Sequence, residues 1–252
     1  DQHRWVEQLK IRPELAAVGH WNKDTEVDVL NRRFFEEFVE VVLLALTSQT
    51  FSYEGEFWKF PNDNKNPHLH TVYSEYGAGV EADMTINEIG IAPRPLQTPH
   101  PPLYGGFTMS MSTALFWSQY GGTPIVLSDK LDFCEALWKT YREEAPKHGI
   151  DKPRGHEAAW GGIAVCAETD AEAEAQFEDM AWFWEKWAKQ FGQGMPLKLV
   201  GSPDTISAQI DEAHKALGFD EIFFLIPQGI HSSDQIISSL DLITTKVMPR
   251  FN

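Results

Sequence analysis

PPLYGGFTMSMSTALFWSQYGGTPIVLS, residues 101–128, decides how this chain is read. It predicts a short apolar strand over Leu103–Gly106, a loop of glycine and small hydroxyl residues, a helix over Met111–Tyr120 and a second apolar strand over Thr123–Leu127. A strand that reaches the next strand through a helix is a crossover unit, and such units build parallel sheets. Ligands of parallel sheets sit at the carboxyl ends of the strands. Gly105 and Gly106 end the first strand, so a ligand can approach backbone there. Ser110, Met111, Ser112 and Thr113 follow where the helix begins. Helix starts carry N–H groups without intrahelical acceptors and the positive end of the helix dipole. Hydroxyls together with those groups form an anion site, and phosphate is its common occupant. A plainer reading stands beside this one: Ser110 or Ser112 serves only as an N-cap.

The same alternation runs to the end of the chain. Helices are predicted over Leu131–Lys147, Ala171–Phe191, Pro203–Leu217 and Ser233–Val247, and strands over Ile163–Ala167 and Glu221–Ile226. Ser202, Pro203 and Gly218 supply the N-cap, first position and terminator of the Pro203–Leu217 helix. Ahead of residue 101 the pattern differs. Leu30, Phe34, Phe38, Val41, Val42 and Ala45 recur at helical spacing and predict a helix over Glu26–Thr47. FSYEGEFWKF (51–60) reads as a hairpin, and residues 61–100 as a long irregular excursion. The expected class is α/β. Four strand–helix units follow residue 100, against the eight that close a (β/α)8 TIM barrel, so either the barrel is incomplete or the sheet is open. Residues 1–252 are read as a single domain of this kind.

A net charge of −16 argues against nucleic acid or an anionic membrane as partner. No run of 18 apolar residues is present. Cys134 and Cys166 are too few for a disulfide framework and suit a reducing cytoplasm. His68 and His70 would share one face of an extended segment, as metal ligands do, with Glu75 and His100 near in sequence; loop histidines are the plainer reading. His156 and Glu157 are read as an exposed loop pair, with acid–base work as the alternative. Trp182, Trp184 and Trp187 on a helix suggest core or subunit contact, or a shield for a cofactor.

Six segments carry a resemblance. They are RRFFEEFVEVVLLALTSQTFSYEGEFWKF (32–60), APRPLQTPHPPLYGG (92–106), STALFWSQYGGTPIVLS (112–128), AVCAETDAEAEAQ (164–176), LVGSPDTISAQI (199–210) and VMPRF (247–251). In that order they resemble the bacterial luciferase-like, flavin-dependent monooxygenase family. The resemblance implies a TIM barrel that uses reduced FMN, or in some branches a deazaflavin, at the carboxyl-terminal mouth. It places the flavin phosphate on a Ser or Thr pair after the fifth strand, matching Ser110 and Thr113, with Met111 and Ser112 between them and Gly105 and Gly106 before. The chain departs from the family at Phe107–Met109, where relatives have a shorter, more polar turn. Strands one to four, which carry the family's catalytic His, are not recognisable, so no catalytic residue is assigned. The implied activity is oxygenation of a small apolar organic substrate with reduced FMN and O2. The implied partners are that substrate, a separate flavin reductase and a second copy of the chain. Two alternatives remain: a non-catalytic flavin-binding or interaction protein of the same family, and a metal-dependent barrel hydrolase using His68 and His70.

Overall fold

A computed structural model describes residues 26–62, 75, 77–106, 108–186, 189, 194–226 and 230–251. His68, His70 and Trp187 lie outside them. The chain divides into two compact units, Asp1–Pro101 and Pro102–Asn252.

In the first unit α1 spans Glu26–Thr47, as its apolar spacing predicts. Strands β1 (Tyr53–Glu54) and β2 (Lys59–Phe60) pair antiparallel as the expected hairpin. The hairpin turn is held by a carboxylate: Glu37 accepts hydrogen bonds from the backbone N–H groups of Glu56 (3.0 Å), Phe57 (3.0 Å) and Trp58 (2.8 Å). Val41, Phe51 and Trp58 are buried, with Phe34, Tyr53, Phe57 and Phe60 packed around them. No basic side chain lies in the last turn of α1. Arg94 substitutes for one from a distant loop, donating to the Thr47 carbonyl at 3.3 Å. The excursion over 61–100, read as irregular, contains two isolated antiparallel bridges, Phe51–Ile89 and Val80–Ile86.

The second unit is a parallel sheet with helical crossovers. Its elements are β3 (Tyr104–Gly105), α2 (Met111–Tyr120), β4 (Thr123–Val126), α3 (Leu131–Glu144), β5 (Ala159–Cys166), α4 (Asp170–Lys186), β6 (Lys198–Gly201), α5 (Pro203–Leu217), β7 (Ile222–Leu225) and α6 (Ser233–Leu242). All five strands run parallel. β5 is the hub. Trp160 pairs with both Val126 of β4 and Ile222 of β7, so those strands flank opposite edges. Ile163 pairs with both Lys198 of β6 and Leu225 of β7, so β4 and β6 follow one another along a single edge. The Leu197 N–H donates to the Leu127 carbonyl where they meet (3.1 Å). Among the described residues β3 pairs only with β4 and β7 only with β5, so the sheet is curled α/β architecture whose barrel is not closed.

Two strands depart most from the sequence reading. β5 begins at Ala159 rather than Ile163. Gly161 and Gly162, which the sequence reading places ahead of the strand, are strand residues: a Cβ on the first would overlap the Phe223 carbonyl, and on the second the Leu197 carbonyl. Crowding from both sides, not a turn, requires them. β6 is absent from the prediction because KLVG is short and runs directly into the Ser202 cap.

Both faces of the sheet are covered. Trp138, Tyr141, Trp160 and Phe177 are the largest fully buried side chains. Trp160 stacks on Phe219 at 5.3 Å and donates its indole N–H to the Ser128 carbonyl at 3.0 Å. Glu157 is buried, not exposed as the sequence suggests. Its carboxylate takes Arg142 at 2.6 Å and the Gly155 N–H at 2.5 Å. His156 turns away to Asp220 at 2.8 Å, so the two do not form an acid–base pair. Among the described residues no helix is long and apolar enough to cross a membrane.

Cys134 and Cys166 are free, buried thiols, each pushed by burial to about 11. In the unfolded chain they ionise near the ordinary value of 9.0. The raised folded values contribute stability that is complete below pH 9 and lost as pH climbs through about 11, roughly 2–3 kcal/mol per thiol. Denaturant titrations at pH 8, 9.5 and 11 should show this loss. The double variant Cys134→Ala, Cys166→Ala should show a shallower one; equal alkaline slopes for both proteins would contradict the assignment.

Candidate functional site

The carboxyl end of β3 and the start of α2 are positioned by one side chain. Trp117 is buried in α2, and its indole lies over two glycines. A Cβ on Gly105 would overlap the Nε1 edge of the ring, and one on Gly122 the opposite edge. Gly105 closes β3 and Gly122 precedes β4, so the indole seats α2 on the paired strands. Gly121 ends the helix in the left-handed region (φ 68°) and returns the chain to β4.

Between β3 and α2 the loop is bulged. Gly105 pairs with Pro124, so an unbroken parallel ladder would give the Ile125 carbonyl to the N–H of residue 107. The Thr108 N–H takes it instead, at 2.9 Å. One extra residue is therefore accommodated after β3, in the segment where the chain departs from the resembled family. Bulges recur beside active sites because they re-aim the chain. Thr108 is fully buried, and its hydroxyl donates to the Gly105 carbonyl at 3.0 Å.

Gly105 is buried under Trp117, whereas Gly106 is exposed, and among the described residues beyond its chain neighbours no atom lies within 4 Å of where its Cβ would stand. Ser110 is the N-cap of α2, and its Oγ accepts from the Thr113 N–H at 3.3 Å. The Ser110 hydroxyl also lies 3.1 Å from that of Ser112 and 2.9 Å from that of Thr113. The structure thus gathers three hydroxyls at one helix start. The Met111 side chain goes elsewhere: it packs against the core and accepts from the Thr140 hydroxyl at 3.5 Å. It offers the loop its backbone alone.

Electrostatically this start stands apart. The first turn of α2 holds no acidic residue. The other α-helices of the unit carry Asp132, Asp170 with Glu172, Asp204 and Asp234 in theirs. At α5 the place an anion would take is filled internally, since the Ser202 N–H donates to Asp170 at 2.6 Å. That bond and those from nearby hydroxyls hold the Asp170 carboxyl below its ordinary range. At α4, Thr169 and Glu172 cap each other reciprocally (3.2 Å in each direction), and at α6 Ser232 and Gln235 do the same. A groove of about 340 Å³ runs beside α6, but Glu168, Asp234 and Asp241 line it and would repel an anion.

The His100 ring meets the Pro101 carbonyl at 2.7 Å. Trp182 is exposed, and Trp184 packs against the cluster around Phe177. Among the described residues no group of three or more His, Cys, Asp or Glu is arranged to hold a metal. Thr108 and Trp117 are the participants that sequence reading missed. The glycines on either side of Trp117 were the available signal, since GG before and after an aromatic helix marks a ring needing room.

No protein-family model and no curated protein matches the sequence. Solved structures do match. Monooxygenase RslO1 from Streptomyces bottropensis aligns with a TM-score of 0.61 at 18% identity, over 88% of this chain and 62% of its own. The oxygenating constituent of 3,6-diketocamphane monooxygenase from the CAM plasmid of Pseudomonas putida, a type II Baeyer–Villiger monooxygenase in complex with FMN, aligns at 0.60 and 18% identity, over 90% and 64%. Coenzyme F420-dependent tetrahydromethanopterin reductase from Methanopyrus kandleri aligns at 0.52 and 17% identity, over 86% and 63%. The chain spans less than two thirds of the length of each. At these identities the likeness is one of fold: the chain has the α/β barrel-type fold of the luciferase-like flavin enzymes.

The seating of Trp117 predicts opposite outcomes for adjacent substitutions. Gly105→Ala should cost about 1–3 kcal/mol by displacing the indole and should red-shift tryptophan emission. Gly106→Ala should leave melting temperature and emission unchanged. Equal effects would contradict the packing.

Proposed function

We propose that the chain acts as a flavin-dependent monooxygenase, an oxidoreductase whose cofactor phosphate rests on the start of α2. One observation carries this reading. A helix start with three converging hydroxyls and no carboxylate lies at the carboxyl end of a parallel sheet, in a fold shared with a monooxygenase in complex with FMN. The residues fit a phosphate. Hydroxyl protons rotate, so Ser110, Ser112 and Thr113 can each turn an O–H toward a phosphate oxygen. The Met111 backbone lies in the same turn, and the dipole favours the negative charge. Gly106, exposed at the end of β3, leaves the approach open on the strand side, whereas the place beside Gly105 is taken by the Trp117 indole.

Reduced FMN, when bound, supplies the activation of O2 and the transfer of oxygen to substrate. This chain's residues bind the phosphoryl end, orient the ring system by holding that end, and keep water from the carboxyl face of the sheet. A deazaflavin carries the same kind of phosphate linkage and would meet the same hydroxyls. A small apolar organic substrate, a separate flavin reductase, a homo-oligomeric state and a cytoplasmic location complete the reading. The substrate, reductase and oligomer rest on the family resemblance, the reductase also on the type II monooxygenase among the structural matches, and the location on the two isolated cysteines.

The double variant Ser110→Asp, Thr113→Asp places carboxylates where the phosphate would lie. Fluorescence titration should give an FMN affinity at least a hundredfold weaker than that of the original protein, with circular dichroism unchanged. Retained affinity would refute the phosphate assignment.

A further inference from the structure

We infer that Thr108 is a positioning residue for the phosphate cradle, acting through the bulge it holds; the inference rests on the flavin reading above. Thr108 is the fully buried member of a loop whose neighbours Gly106 and Met109 are exposed. Its two polar groups tie different strands. The N–H reaches Ile125 of β4 at 2.9 Å, and the hydroxyl reaches the Gly105 carbonyl of β3 at 3.0 Å. The first bond fixes the bulge to the sheet. The second ties Thr108 back to the strand that the loop leaves, so Thr108 is held to both strands. Ser110 follows two residues later in extended conformation (φ −145°, ψ 148°), which N-caps require. A loop pinned in this way presents its hydroxyls with little ordering left to pay on binding.

The Thr108 hydrogen bonds go to the two strands, and its effect on Ser110, Ser112 and Thr113 is on their placement, specific to the phosphate end of the ligand. Thr108→Val keeps the shape and the backbone bond but removes the hydroxyl donor. Thr108→Ser keeps the donor. Affinities for FMN and for riboflavin, which lacks the phosphate, separate the possibilities. Thr108→Val should weaken FMN about tenfold, the scale of one lost neutral hydrogen bond, and leave riboflavin unchanged; Thr108→Ser should bind FMN within about threefold of the original protein. An equal loss for both ligands would show a merely structural role and overturn the inference, as would unchanged FMN affinity in Thr108→Val. Should Thr108→Val not fold, loss of FMN preference in a folded Thr108→Ser would overturn it. An original protein that binds FMN no better than riboflavin would refute the phosphate reading itself, and this inference with it.

Discussion

The packing of Trp117 between Gly105 and Gly122 is the constraint from which the rest of the site follows. An indole placed flat against a sheet needs positions without a Cβ beneath it, and the chain provides them at the end of β3 and just before β4. Because Trp117 lies in the middle of α2, its seat fixes the axial position of the helix and hence the point where the helix begins. Thr108 fixes the approach to that point. Loop and helix are thus held independently, one by hydrogen bonds to the strands and the other by apolar contact.

Charge separates this helix start from its neighbours. The protein is strongly acidic, and the other α-helices of the second unit carry carboxylates in their first turns; at α4 and α5 a carboxylate also accepts from a backbone N–H at the helix start. A carboxylate in the first turn already supplies the negative charge that the dipole favours and would repel an external anion. The α2 start has hydroxyls in their place, which cap the helix without adding charge. A neutral cap with rotatable protons is compatible both with water and with phosphate, and the dipole favours the latter. The same argument explains why the groove beside α6 is a poor home for a flavin phosphate: Glu168, Asp234 and Asp241 line it, and it carries the wrong sign.

Much of the architecture was legible because periodicity and caps agree along the chain. α1, α2 and α5 have the predicted boundaries; the last two end in Gly121 and Gly218, both in the left-handed region, and begin at serine caps. Legibility failed where tertiary contact, not local preference, sets the structure. Gly161 and Gly162 read as lying ahead of the strand, yet they are strand residues squeezed by Phe223 and Leu197, which no local pattern reveals. Glu157 read as exposed because its partner Arg142 lies on a separate element. For the candidate site, the hydroxyl cluster was visible as a motif and is brought together in space. The bulge was visible only as an unfamiliar length between Gly106 and Ser110, and the buried role of Thr108 not at all, since a threonine in a polar loop has no sequence signal for burial.

The central claim is that the start of α2 receives a phosphate. Amide proton and nitrogen resonances of Met111, Ser112 and Thr113 report this directly, because an N–H that donates to an anion shifts downfield. Titration of the isotopically labelled protein with FMN should move these resonances saturably, and titration with riboflavin should leave them in place. Resonances at the α2 start that do not respond to FMN, while others elsewhere do, would contradict the account.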